Sequence, residues 1–391
     1  MNFRTLPEFA VRGKRVVVRE DLNVPMKDGA VGDPTRIVAA LETLRYLRDH
    51  GARTIVLSHL GRPDGVAVAA LSLRPVAAEL AARLGSPVAF AEDCVGPVAQ
   101  AAVAALHDGD IVLLENVRFH PEEEADDPRF AKALAALGDL YVNDAFGTAH
   151  RAHASTEGIA HDLPAAAGFL MEAELQALAA LTTNPALPFV CAIGGAKVKD
   201  KVGVFTHLLE RVSAFVIGGG MANTFLAARG VDVGKSLKDS DLGPAAGILE
   251  LAKARNVALH LPVDADATTV ALSQIGDRMI LDIGPRTARA YAGVLRAART
   301  IVFNGPMGVY ERAPYREGTR TIGAAIAEAT RLGATSVVGG GDAAAAAHEL
   351  GFADAMTHVS TGGGATLEFL EGKTLPGVEA LERAARQQSA V

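Results

Sequence analysis

Eight basic side chains in the first part of the chain could together grip a small polyanion: Arg19, Arg36, His59, Arg62, Arg118, His150, Arg151 and His153. Arginine carries a planar fork of donors that matches phosphate and carboxylate, so it is the natural residue for such a ligand. Taken singly, each of these residues reads as a solvated surface group. Placement favours the anion site, because five of the eight stand at or just past the points where apolar runs give way to polar segments. Those segments are Arg19-Glu20-Asp21-Leu22-Asn23, Ser58-His59-Leu60-Gly61-Arg62, Glu115-Asn116-Val117-Arg118 and Asn143-Asp144-Ala145-Phe146-Gly147. The histidines of His150–Ser155 lack a cysteine partner, and a structural zinc is not expected there.

The second part of the chain offers glycine instead of arginine at the same kind of position. Gly194-Gly195-Ala196-Lys197, Gly218-Gly219-Gly220, Asn304-Gly305-Pro306, Gly339-Gly340-Gly341-Asp342 and Gly362-Gly363-Gly364 each close an apolar run. Glycine lets a backbone N–H approach a phosphate with no Cβ in the way, and a following helix aims its first N–H groups at the same point. Asp342, directly after a triple glycine, suits a magnesium ion lying between carboxylate and phosphate. An Asp N-cap is the competing reading. Lys197 and Lys201 are four apart, which puts them on one helix face if a helix begins near Ala196. Gly230-Val231-Asp232-Val233-Gly234-Lys235-Ser236 imitates a P-loop, but it has three residues between its glycines where four are needed, and it follows a helical stretch.

Positioning these residues calls for parallel strands. β-branched runs at Val16–Val18, Thr54–Leu57, Ile111–Leu114 and Leu140–Val142 alternate with helical stretches. They resume at Phe189–Ile193, Phe215–Ile217, Val257–Leu261, Thr300–Phe303, Ser336–Val338 and His358–Val359. In the stretch 36–51, Ile37, Leu41, Leu44 and Leu47 share a helix face, with Gly51 placed for a C-terminal cap. The pattern predicts two doubly wound α/β units with parallel sheets of about six strands, and ligands bind outside the carboxyl ends of such strands. A boundary near residues 170–185 follows from the amphipathic segment Met171–Thr183 and the breakers Asn184, Pro185 and Pro188.

Bulk properties narrow the function. A chain of 391 residues is long for one core, and 49% hydrophobic with 21% charged residues is ordinary for a packed protein. A formal charge of -7 argues against a general nucleic-acid binder. Two distant cysteines, Cys94 and Cys191, fit a reducing compartment, and no apolar run approaches the ~20 residues of a membrane span. A cytoplasmic protein is expected, its N-terminus having no signal-peptide pattern.

The longer motifs resemble those of the phosphoglycerate kinase family, in that family's order. They are VVVREDLNVP (Val16–Pro25), SHLGRP, LLENVRF, YVNDAFG, AHRAHAS, GGAKVKDK, GGGMANTF, DVGKSL, LDIGP, NGPMGVYE, VVGGGDAA and STGGGATLEFLEG. The resemblance implies two Rossmann-like domains joined by a helix, with a hinge and a cleft between them. Residues 1–170 would bind 3-phosphoglycerate, 171–184 would form the linking helix, 185–374 would bind nucleotide, and 375–391 would return to the first domain.

By the same resemblance, the 3-phosphoglycerate side is Asp21, Asn23, Arg36, His59, Arg62, Arg118 and Arg151. The ADP/ATP side is Gly195, Ala196, Lys201, Asn304, Pro306, Val309, Glu311, Gly340, Gly341, Asp342 and Ala343, with Glu311 on the ribose and Asp342 on Mg²⁺. Arg36 and Lys197, with N–H groups near Gly340 and Gly363, would stabilise the moving phosphoryl group. A monomer is expected. Three features depart from the family pattern: Ala343 in place of a hydroxyl residue, a shortened stretch between Asp264 and Leu281, and Ile280 in place of a glycine. They imply a weakened or altered hold on the nucleotide. A dinucleotide oxidoreductase would need G-x-G-x-x-G at the first strand–helix turn, which is missing. A binding protein that kept the fold without transfer is the remaining alternative.

Overall fold

The computed structural model describes residues 2–265 and 270–388. Positions 266–269 of the shortened stretch and 389–391 of the C-terminal segment therefore lie outside the described residues. The chain divides into two compact units, one reaching Leu175 and taking back the segment from Thr374 onward, the other spanning Gln176–Lys373. The division falls within the helix Phe169–Thr182.

In the first unit six strands build a parallel sheet: β1 Arg15–Arg19, β2 Arg53–Leu57, β3 Ala89–Ala91, β4 Ile111–Leu114, β5 Leu140–Asn143 and β6 Ala165–Ala167. Their order is β3-β4-β2-β1-β5-β6. From β1 the strands run outward on one side as β2, β4 and β3, with β3 at the edge, and the chain then switches to the other side at β5. Val16, Val17 and Val18 are wholly buried, as a strand covered on both faces must be, so the run reads as continuous rather than alternating.

The helix Thr35–Asp49 lays Ile37, Leu41, Leu44 and Leu47 against Val16, Val18 and Val56. His50 caps it, and Gly51 follows at φ +72°. The helix Pro376–Gln388 packs on β6 of this unit. Gly377 donates to the Ala149 carbonyl (2.9 Å), and Arg383 donates to Glu157 (2.8 Å).

The second unit repeats the plan with β7 Phe189–Ile193, β8 Ala214–Ile217, β9 Ala258–His260, β10 Thr300–Asn304, β11 Thr335–Val338 and β12 His358–Val359. The order is β9-β8-β7-β10-β11-β12, so the switch lies between β7 and β10. On one face Phe303, Val338, Ile322 and Ile326 pack with Ala343 and Phe352. Elsewhere in this unit Phe205 meets Phe215 and Phe225, with ring centroids 5.0 and 5.4 Å away. Each such ring, fully buried, stabilises the unit by roughly 2–3 kcal/mol. Among the described helices none is long and apolar enough to cross a membrane.

Candidate active site

At the carboxyl ends of β1 and β5, where the first sheet changes direction, Asp21 accepts a hydrogen bond from Arg36 Nη1. A Cβ on Gly147 would sit 2.2 Å from Asp21 Oδ2, so only glycine leaves room for this pair. Asn23 Oδ1 accepts from the Gly61 N–H (2.9 Å), which ties the loop after β1 to the loop after β2. Arg118 Nη1 donates to the Gly61 carbonyl (2.9 Å) and its Nε lies 3.2 Å from Glu124. Asn116 fixes the Arg118 backbone by capping the short turn Val117–Phe119, while its amide donates to the Leu60 and Leu71 carbonyls.

Asp21, Asn23, Arg36, His59, Arg118 and Arg151 are thus brought into one neighbourhood. Arg62 follows Gly61 directly and is exposed, with no hydrogen-bond or ion-pair partner among the described residues. Burial, then the guanidinium groups of Arg19, Arg118 and Arg36, hold His59 well below the ordinary imidazole range. Burial, then the charges of Arg118, Arg19 and Arg151, push His153 down to about 3. Both rings are therefore neutral at pH 7, chiefly through burial, and the guanidinium groups around them supply positive charge suited to a polyanion.

Arg19 plays a different part from the one its position suggests. It is wholly buried, donates to Ser155 Oγ (2.8 Å) and the Glu20 carbonyl, and lies 3.2 Å from His59 Nδ1. Ser155 in turn donates to the buried Glu123 (2.6 Å), whose carboxyl pKa is raised by burial. The group supports the loop of Arg151 and His153 from beneath.

In the second unit, Lys201 Nζ donates to the Gly194 and Asn304 carbonyls, both at 2.8 Å. Those carbonyls end β7 and β10, so the ammonium bridges the two strands at the switch of the sheet. The sequence reading of one helix carrying Lys197 and Lys201 is corrected here. The helical turn begins only at Lys199 and the α-helix at Val202, because Lys201 is drawn inward onto these carbonyls. Lys197 stands in the loop before it, exposed and without a partner among the described residues. Burial brings the Lys201 pKa down to about 8. A Cβ on Gly194 would lie 2.0 Å from the Pro306 carbonyl oxygen, so the two loops meet backbone to backbone.

Two cavities meet along these loops. One, about 450 Å³, is lined by apolar groups including Leu237, Met279, Ile280, Pro306 and Val309, with Asp282, Glu311 and Asp342 as its acids. The other, about 380 Å³, is lined by Gly195, Lys197, Lys201, Asn304, the Gly339–Ala343 loop and Gly363–Gly364. Gly340 caps the helix Gly341–Glu349, and Gly363 caps Gly364–Leu370. Asp342 is accordingly not an N-cap: it is the second residue of its helix, exposed, with no partner among the described residues, and it borders both cavities. Ala343 turns its methyl into the core. Ile280 also packs inward, against Leu226, Val233 and Ile275, while its N–H donates to Ser236 Oγ (2.8 Å).

The P-loop imitation is a turn after the helix Gly219–Ala228, with the Lys235 N–H donating to the Arg278 carbonyl. Sequence reasoning missed Asp282, which accepts from the Ile283 (2.9 Å) and Gly318 (2.8 Å) N–H groups and holds the loop carrying Val309 and Glu311. Its place between an apolar residue and Ile283-Gly284 was the available signal.

A basic pocket at one sheet switch and a glycine-lined, lysine-bearing phosphate cradle at another define a phosphotransferase with a nucleotide among its ligands. Comparison with known proteins carries this to a family. The phosphoglycerate kinase family model matches residues 6–373. The phosphoglycerate kinase of Moorella thermoacetica is 54% identical over 389 residues, covering 96% of this chain and 98% of that one. That of Pelotomaculum thermopropionicum is 53% identical over 390 residues, covering 97% and 98%. Among solved structures, phosphoglycerate kinase from Coxiella burnetii superposes with a TM-score of 0.90 at 41% identity, over 98% of this chain and all of that one. The Pyrococcus horikoshii enzyme gives 0.83 at 35% identity, with the same coverage. The chain belongs to the phosphoglycerate kinase family.

Proposed function

We propose that this protein transfers a phosphoryl group reversibly between 1,3-bisphosphoglycerate and Mg-ADP, giving 3-phosphoglycerate and ATP, through the two residue sets described above. The observation that carries the nucleotide half is the position of Asp342, at the junction of an apolar cavity sized for a base and a cradle rich in N–H groups. Glu311 takes the ribose, Lys201 and the Gly340–Ala343 backbone take the phosphates, and Gly195, Ala196, Asn304, Pro306 and Val309 shape the walls. In the first unit Arg36, Arg62, Arg118 and Arg151 hold the phosphate and carboxylate of 3-phosphoglycerate, with Asp21, Asn23 and His59 orienting it.

Magnesium fits the cradle, because an exposed, unpaired carboxylate facing a phosphate site is unfavourable without a cation between them. Asp342 would hold it, and the ion would supply charge neutralisation for the nucleotide oxygens. An acyl phosphate is already activated, so this reaction rests on positioning and charge stabilisation more than on acid–base catalysis. Arg36, Lys197 and the N–H groups at Gly340 and Gly363 serve that role. Because the two sets stand on separate units, hinge closure completes the constellation and keeps water out. The protein acts as a monomer in the cytoplasm.

Calorimetric titration with 3-phosphoglycerate and with ADP tests the division of labour. Arg62→Ala is expected to weaken 3-phosphoglycerate binding at least ~10-fold and leave ADP unchanged. Equal binding of 3-phosphoglycerate by the variant and the wild type counts against the assignment.

A further inference from the structure

Asp93, Cys94 and His120 come from two separate segments, yet one ligand atom from each lies within 4.8 Å of the others. Asp93 and Cys94 follow the carboxyl end of β3. His120 follows β4, its neighbour in the sheet, and stands just before the turn Pro121–Glu124. Asp93 Oδ1 is 2.8 Å from His120 Nε2 and also accepts from the Cys94 N–H at 2.7 Å. Cys94 is 1% exposed, whereas the Asp93 and His120 side chains are 40% and 29% exposed. A buried sulfur thus forms the floor of a site whose imidazole and carboxylate form an open rim. His120 is held from the side by Phe130, with ring centroids 5.1 Å apart.

A nucleophilic Cys-His-Asp arrangement is the first reading to consider, and the structure opposes it. The thiol is out of reach of a substrate, and burial followed by the charges of Asp93, Glu123 and Glu115 lifts its pKa well above the ordinary value. The acidic surroundings that disfavour a bare thiolate favour a dication beside it. Sulfur, imidazole and carboxylate form a donor set that a borderline-soft ion takes readily and that magnesium does not.

We propose that Asp93, Cys94 and His120 form a second cation site, selective for zinc-like transition-metal ions, with water completing a tetrahedral shell. Bonds of ~2.0–2.3 Å to nitrogen, oxygen and sulfur set donor separations of roughly 3.3–3.7 Å in a tetrahedron. The present contact between Asp93 and His120 is the shorter one of a hydrogen bond, and it opens by about half an ångström as the ion replaces the shared proton. Binding releases the Cys94 thiol proton as well. Solvent access along Asp93 and His120 supplies the entry path.

The test uses the full chain, reduced, stripped with chelator and titrated with Co²⁺ and then Zn²⁺. A cobalt–thiolate charge-transfer band in the near ultraviolet, saturating at one equivalent and displaced by Zn²⁺ but not by excess Mg²⁺, is the expected result. The band should vanish in Cys94→Ser and in His120→Gln, and persist in Cys191→Ala, which removes the other thiol. His120 lies partly at the surface, so His120→Gln keeps the test valid if Cys94→Ser fails to fold; a thermal melt checks each variant. Absence of the band in the wild type, or its persistence in a folded His120→Gln, overturns the proposal. So does zinc uptake without thiolate absorption, which would place the ion on other carboxylates.

Discussion

The proposed place of Lys201 in the phosphate cradle would make nucleotide binding a proton-linked event. Its ammonium is held on two strand-end carbonyls, and burial brings its pKa down to about 8. Phosphate oxygens entering the cradle favour the charged form and restore a pKa near the free value of ~10.4. The free protein carries roughly 0.1 of a vacant proton site at pH 7, about 0.5 at pH 8 and about 0.9 at pH 9, so ADP binding takes up protons in those amounts. Titration calorimetry in buffers of differing ionisation enthalpy reads the uptake directly, and above pH 8 the nucleotide's own phosphates no longer titrate. Lys201→Arg, whose guanidinium stays charged throughout, should abolish the lysine's share while retaining binding. Buffer-independent heats at pH 8 in the wild type, or equal uptake in Lys201→Arg, would exclude Lys201 as the group that takes up the proton.

Other consequences follow from the same geometry. Gly147→Ala pushes a methyl into the Asp21–Arg36 pair and should raise the KM for 3-phosphoglycerate at least ~10-fold with the ADP KM unchanged. Steady-state kinetics decide it, and an unchanged 3-phosphoglycerate KM would disprove the clash. Asp342→Asn should shift the free Mg²⁺ concentration giving half-maximal rate upward by about tenfold, read from a magnesium titration of activity; an unmoved midpoint removes Asp342 from the metal.

Asp144 is buried, accepts from the Met171 N–H (3.0 Å), and has a pKa raised by burial to about 6; with the Asp144 charge adding to burial, Glu20 is raised well above its ordinary value. The folded form therefore binds the proton more tightly than the unfolded one. The stability this contributes is full below pH ~4 and lost as pH rises through 6, about 3 kcal/mol in all. Urea midpoints at pH 4.5 and 7 should show that slope flattened in Asp144→Asn, and parallel profiles would contradict it.

Most of the fold was legible because buried parallel strands leave continuous β-branched runs, as Val16–Val18 and Phe189–Ile193 do. The two edge strands of the first sheet were not. Ala89–Ala91 and Ala165–Ala167 are alanine-rich, a composition that favours helix, and only pairing to β4 and β5 makes them strands. Strand-end position gathered the candidate site residues as a group, but it could not separate side chains left at the open strand ends from supporting ones. Arg19 has the same residue type and placement as Arg118, yet its chain turns wholly inward to Ser155. The helix start near Ala196 failed because a lysine seeking two carbonyls outweighed helix propensity. The convergence of Asp93 and Cys94 with His120 had no sequence signal, since the sheet order alone makes those segments neighbours.

In the proposed reaction, transfer between the two substrates rests on Arg36, Lys197 and the glycine-loop N–H groups. ADP formation from Mg-ATP and 3-phosphoglycerate, measured for the wild type and for Lys197→Ala, tests it most directly. The expected result is turnover that requires both substrates and a kcat at least ~100-fold lower in the variant, with 3-phosphoglycerate affinity preserved. Wild-type turnover in Lys197→Ala, or no turnover in the wild type despite intact binding of both substrates, would contradict it.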